Sequence, residues 1–201
     1  MRQGGTAAIV EASRFLMGEG PVHLSLQKIT KRLEQLRIPY AVVGGMALVA
    51  HGYDRTTVDV DILVDAAGLA ATHEALEGLG YVAPFAGSKH LRDIETSVRI
   101  EFLVAGQYPG DGKPKPIAFP DPARVGVEIG GIRYVNLPTL VELKLASGMS
   151  NPLRAKDIGD VIDLIKVLRL PPEFGQQLDP YVRDRFVELA KAIAAEPSEE
   201  P

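Results

Sequence analysis

The sequence predicts an α/β chain in which a small mixed sheet of about four or five strands, flanked by helices, is followed by a C-terminal helical segment. Three observations predict it. Short apolar or strictly alternating runs at 40–43, 57–64 and 97–104 have the period of strands. Leu26, Ile29, Leu33 and Leu36 recur at helical spacing between them and the N-terminus. After Pro138 the alternation stops and only helical patterns remain.

Taken in order, residues 6–17 and 23–37 read as helices separated by Gly18, Gly20 and Pro21, with Pro39 ending the second. Tyr40 to Val43 is a buried strand closed by Gly44-Gly45. A short helix follows at 45–52, then a strand at 57–64, a helix at 68–79 and a strand at 81–85. Residues 97–104 alternate as a further strand. The stretch 105–122, AGQYPGDGKPKPIAFPDP, is dense in Gly and Pro and reads as a long loop. Strands at 125–129 and 132–136 flank Gly130-Gly131, a hairpin signal. Helices follow at 139–148, 153–169 and 180–195, the last with Asp179 as N-cap and Pro180 at its first position. The tail, 196–201, is polar and is expected to be disordered. The expected organisation is N-terminal helices (1–38), a core (39–137), a helical segment (138–195) and the tail.

The 201 residues are 46% hydrophobic and 24% charged, an ordinary globular composition. There is no cysteine, which excludes disulfides, thiolate ligands and a cysteine nucleophile. No apolar run reaches the ~18 residues of a membrane span, and the N-terminus lacks the pattern of a signal peptide; a cytoplasmic protein with no membrane partner is expected. A net charge of −4 argues against a general polyanion binder, although Lys28-Lys31-Arg32 and Arg154-Lys156 are local basic clusters or solvated helix faces.

The informative strand is Thr57-Val58-Asp59-Val60-Asp61-Ile62-Leu63-Val64. Alternation puts Val58, Val60, Ile62 and Val64 on one face and Thr57, Asp59 and Asp61 on the other. The plain alternative is a strand with one wet face. Aspartate, however, is depleted within strands, and two on one face repel unless a cation lies between them. The run Val98 to Val104 repeats the pattern, with Arg99 and Glu101 opposite its apolar face. If the two strands are neighbours, Asp59, Asp61 and Glu101 offer hard oxygen ligands to Mg2+ (or Mn2+).

Gly44-Gly45, between a strand and a helix, is either a tight turn or a place where backbone N–H groups approach phosphate. The ordered set strand, Gly-Gly, helix, Asp-x-Asp strand resembles the DNA polymerase β-like nucleotidyltransferase superfamily. GGMALVAHGYDRTTVDVDILV (44–64) carries that resemblance, with Glu101 matching the third carboxylate. Within the superfamily the chain is most similar to the AbiEii-like group of nucleotidyltransferase toxins, through Gly44, Gly45, Ala47, Arg55, Thr57, Asp59 and Asp61. Lys144 in LVELKLAS and Lys156-Asp157 in RAKDIGDVIDL are looser matches.

The resemblance implies the nucleotidyltransferase fold and metal-dependent transfer of a nucleoside monophosphate from an NTP to an acceptor, with release of pyrophosphate. Asp59, Asp61 and Glu101 would be catalytic and metal-binding; Gly44, Gly45, Arg55, Thr57, Lys144, Lys156 and Asp157 would bind nucleotide. The acceptor would be tRNA or other RNA, a protein or a small molecule such as an antibiotic. As a toxin of a toxin–antitoxin or phage-defence system, the chain would have an antitoxin partner. A non-catalytic nucleotide-binding module is the reading from another class. Each binding residue also has a plain reading: Arg55 as a surface arginine, Lys144 as a snorkelling helix residue, Asp157 as an N-terminal helix charge. Lys144 is expected to be dispensable to the fold, and Asp160 and Asp163 to be solvated. His51 and His90 are not spaced for catalysis or metal, and no Ser-His-Asp set, zinc motif or dinucleotide fingerprint is present.

Overall fold

The computed structural model describes residues 18–195. The helix expected at 6–17 and the tail 196–201 lie outside them. Helix α1, Pro21–Gln35, starts two residues earlier than the spacing predicts, because Pro21 opens the first turn instead of breaking the chain. Val22, Leu26, Ile29 and Leu33 form its buried stripe.

Strand β1 (Ala41–Val42) leads into α2 (Gly44–Ala50), and β2 spans Asp59–Val64. Val58, expected on the apolar face of that strand, precedes it and is 82% exposed. Helix α3 (Ala66–Leu76) is capped by Asp65, whose side chain accepts from the Gly68 N–H. Strands β3 (Tyr81–Val82), β4 (His90–Asp93) and β5 (Arg99–Val104) follow. After a single helical turn, α4 (Pro122–Val125), the hairpin β6 (Gly126–Ile129) and β7 (Ile132–Val135) closes on Gly130-Gly131. Both turn residues have positive φ, 58° and 80°, as a two-residue hairpin turn demands. The chain ends in α5 (Leu137–Ser150), α6 (Ala155–Leu168) and α7 (Pro180–Ala195). Asn136 caps α5 and Asp179 accepts from the Tyr181 N–H at the start of α7.

The fold class is the expected mixed α/β, but the sheet has seven strands, in the order β3-β4-β5-β2-β1-β7-β6. The larger sheet takes in all the short runs read as strands and adds β4, which the sequence does not show. Only Leu91 in it is apolar, so period-2 alternation is invisible there; pairing with β5 and burial of Leu91 and Asp93 hold it. Parallel pairing occurs twice, β2 with β5 and β1 with β7. One apolar cluster joins Leu26 and Ile29 of α1, Ile62, Ile100 and Phe102 of the sheet, and Leu140, Val161, Leu164 and Phe186 of the C-terminal helices. Phe102 is 1% exposed; burial of such a side chain contributes about 2–3 kcal/mol. Among the described residues no helix is long and apolar enough to cross a membrane.

Candidate active site

Parallel pairing of β2 and β5 places Asp61 directly beside Glu101, and Asp59 beside Arg99. Together with Thr57 these side chains form one wall of a cleft of about 270 Å³. The other wall comes from α5 and the start of α6. Every residue expected from the sequence lines this one cleft: Gly44, Gly45, Arg55, Thr57, Asp59, Asp61, Glu101, Lys144, Lys156 and Asp157. The sequence distance from Gly44 to Asp157 is closed by the β1–β7 pairing, which brings Leu137 and hence α5 back beside the first helix turn.

Asp61 is half-buried at the centre of the acid wall. Its carboxylate receives no hydrogen bond from the described residues. Burial, then the charges of Asp59 and Glu101, push its pKa up to about 7, against the pull of Lys144 and Arg99. Asp59 accepts a 2.8 Å hydrogen bond from the Thr57 hydroxyl, and Glu101 accepts one of 2.9 Å from Arg99. Among the described residues no group of three His, Cys, Asp or Glu side chains stands as a closed metal cage. The reason is local: Glu101 is turned to Arg99, and Asp59 to Thr57. The donor chemistry nevertheless fits a hard divalent cation, since a half-buried carboxylate without a donor among the described residues, flanked by two more, is short of positive charge.

The glycines have a steric role that the sequence does not reveal. Gly44 has φ +60°, and a Cβ there would stand 1.8 Å from Asp61 Oδ2. A Cβ on Gly45 would stand 2.7 Å from the Thr57 side chain. Only the bare backbone of the turn lets the acid strand pack against it.

Opposite the acid wall, the cations are already engaged. Lys144 donates to Asp157 Oδ1 and to Asp160 Oδ2, both at 2.7 Å. Arg55 donates to Asp160 Oδ1 at 2.6 Å, and Asp157 Oδ2 accepts from Ser147 at 2.6 Å. Arg154 lies 3.1 Å from Asp157. Burial works against ionisation of Asp157, but Lys144, Ser147 and Arg154 outweigh it and hold its pKa below the usual carboxylate range.

Two expectations are corrected here. Asp160 is buried at 4% exposure and central to this network, not solvated. Asp163 is half-buried and accepts from Tyr53 at 2.6 Å. The inward stripe of α6 is Asp157, Asp160, Val161, Leu164 and Ile165, so the two acids occupy positions of the apolar face. Their i, i+3 spacing in phase with Val161, Leu164 and Ile165 was the signal that could have found Asp160. Lys156 is exposed at the rim, and Arg154, unassigned from the sequence, joins it there. His51 hydrogen-bonds the Val135 carbonyl, a structural contact, and His90 lies against Arg99.

No family model and no curated protein matches the chain. Solved structures do. The crystal structure of ANT(2")-Ia in complex with adenylyl-2"-tobramycin superposes with a TM-score of 0.52 at 13% identity, over 86% of this chain and 98% of that one. The solution structure of ANT(2")-Ia, described as an antibiotic-resistance factor, gives 0.50 at 13% identity over 90% of each chain. An antigenic nucleotidyltransferase-like protein from Paracoccidioides brasiliensis gives 0.48 at 17% identity, over 86% of each chain. The chain has a nucleotidyltransferase-like fold. The likeness to the AbiEii-like group rests on the sequence motif alone.

Proposed function

We propose that the protein is a metal-dependent nucleotidyltransferase that moves a nucleoside monophosphate from an NTP to an acceptor hydroxyl and releases pyrophosphate. The observation that carries this reading is the half-buried Asp61 carboxylate, without a donor among the described residues, between Asp59 and Glu101 and facing Lys144, Arg55 and Lys156 across one cleft.

Asp59 and Asp61 would hold Mg2+ (or Mn2+), with Glu101 joining once it leaves Arg99; the bound ion would neutralise phosphate charge and acidify the attacking hydroxyl. The acceptor oxygen forms its bond to the α-phosphorus as the bond to the pyrophosphate oxygen breaks. Glu101, half-buried at the mouth, takes the proton from that hydroxyl. Lys144 spends two of its three N–H donors on Asp157 and Asp160, so one is left for a β- or γ-phosphate oxygen. Arg55 and exposed Lys156 supply further positive charge at the triphosphate end, and the Gly44-Gly45 backbone lies beside it. Asp157 would act through Lys144, by fixing its ammonium.

The decisive test incubates the protein with each labelled NTP, Mg2+ and a mixture of cellular RNA, protein and small molecules, and asks which fraction gains label. Label should appear in one fraction and vanish with Asp59→Ala/Asp61→Ala. No transfer from any NTP to any fraction overturns the reading. The small-molecule acceptor has the support of a fold shared with an enzyme caught with an adenylylated aminoglycoside. A toxin role, with an antitoxin partner, draws support from the 44–64 motif and would be tested by growth arrest on expression.

A further inference from the structure

A second cavity, of about 550 Å³, opens beside the cleft, and Glu101, Pro109, Phe119 and Arg154 line both. Its far wall is the Gly- and Pro-rich stretch after β5, which the sequence presents as a loop and the fold makes into a fixed surface. The Gly106 N–H donates to the Phe119 carbonyl at 2.8 Å, and the Phe119 N–H to the Gln107 carbonyl at 2.7 Å. Gly110 packs so closely on α5 that a Cβ would stand 2.1 Å from Ser150 Oγ. Lys115, with its side chain 6% exposed, donates to the carbonyls of Pro109 and Lys113 and to Asp111. The Asp111 carboxylate is therefore already answered by a cation.

The charged side chains that line this cavity are Lys89, Arg154 and Glu101. Arg99, two residues earlier on β5, pairs with Glu101, and Asp157 answers Arg154, so the charge left over is the positive one of Lys89. Tyr108 and Phe119 add ring surface. A polyamine such as tobramycin needs the reverse: several carboxylates around its ammonium groups.

Resting on the nucleotidyltransferase reading, we propose that this cavity seats the acceptor, and that the acceptor carries an anionic group, phosphate or carboxylate, near its reacting hydroxyl. Glu101 belongs to both cavities, so a hydroxyl entering from this side meets the proton acceptor as it meets the α-phosphorus. Lys89, exposed and tied to Gln107, faces the anionic group. Tyr108 and Phe119 flank the acceptor's ring. A polycationic aminoglycoside would meet like charge in this cavity.

The test is calorimetry on the full chain at low salt with Mg2+ and a non-hydrolysable ATP analogue. Glucose 6-phosphate, glucuronate, neutral glucose and tobramycin are titrated in turn. At least one anionic sugar should bind about tenfold or more tighter than glucose, and tobramycin should not bind; which anion wins identifies the group. Lys89→Glu should cost that sugar about tenfold or more and Lys89→Gln less, with melting temperatures checking that both variants fold. Tighter binding of tobramycin than of either anion overturns the proposal. So does equal binding of anionic and neutral sugars, silence from all four, or indifference to both Lys89 variants. Titrations of the ATP analogue alone, and of the sugars without it, separate the two readings. If analogues of all four NTPs, titrated in turn, are silent while an anionic sugar binds through Lys89, the function falls and the anionic subsite stands.

Discussion

Asp61 and Glu101 stand side by side on adjacent parallel strands, register partners across β2 and β5, and no donor among the described residues reaches the Asp61 carboxylate. Such a pair costs stability until a cation arrives. Asp61→Asn should therefore raise the melting temperature in metal-free buffer near pH 8 by about 2–4 °C, the scale of ~1 kcal/mol for a chain of this size. The same variant should lose Mg2+-dependent binding of a non-hydrolysable triphosphate in calorimetry. An unchanged melting temperature together with retained binding removes Asp61 from the metal site.

Glu101 is half-buried and its partner Arg99 is largely exposed, so the pair adds little to stability. Glu101→Gln should leave the melting temperature within a few degrees and cut nucleotide transfer by roughly 100-fold or more. Full transfer activity in this variant would mean that another group takes the proton.

Lys144 behaves differently from the expectation that it is dispensable to the fold. Removing its charge leaves Asp157 and Asp160, both buried, short of a cation. Lys144→Met should destabilise by about 3 kcal/mol in urea titrations, besides weakening triphosphate binding. Adding Asp160→Asn should return part of that loss in stability but none of the binding. If Lys144→Met unfolds at the wild-type urea concentration, the ion pairs do not hold the two walls together.

Asp93 of β4 sits against α1, fully buried, and accepts from Ser25 at 2.8 Å and Lys28 at 2.9 Å. Burial alone would raise its pKa, but Lys28, Ser25 and the Glu95 N–H outweigh it and hold it below the usual value. A depressed folded pKa gives stability that is present above the unfolded value, near 3.9, and is lost as pH falls through the folded one. Asp93→Asn should cost about 2 kcal/mol at pH 7, and its urea midpoint should approach the wild-type value as both are taken below about pH 3. A constant gap across that range would assign the loss to packing.

The acid wall was legible in the sequence because strand alternation alone decides which face Asp59, Asp61 and Glu101 share. Their adjacency was not, since nothing local shows that β5 pairs with β2. Strand β4 was hidden because Leu91 is its one apolar residue and Asp93 is buried through partners on another helix. Asp160 was missed because an acid in a helix reads as solvated until Lys144 and Arg55, the partners that bury it, are in place. Gly44 was read as a seat for phosphate, whereas its closest neighbour is the Asp61 carboxylate; that relation exists only after the strand has docked.

The β1–β7 pairing has a consequence for synthesis. Val42 meets Tyr134 only after most of the chain has emerged, and Lys144, Asp157 and Asp160 emerge later still. A ribosome-bound chain therefore carries its acidic strands before it owns Lys144 and Lys156, two of the cations that face them. Non-local pairing of this kind is slow to form. The complete cleft is consequently a late product of folding, and a shortened chain ending in β7 would hold its carboxylates with only Arg55 and Arg99 to balance them.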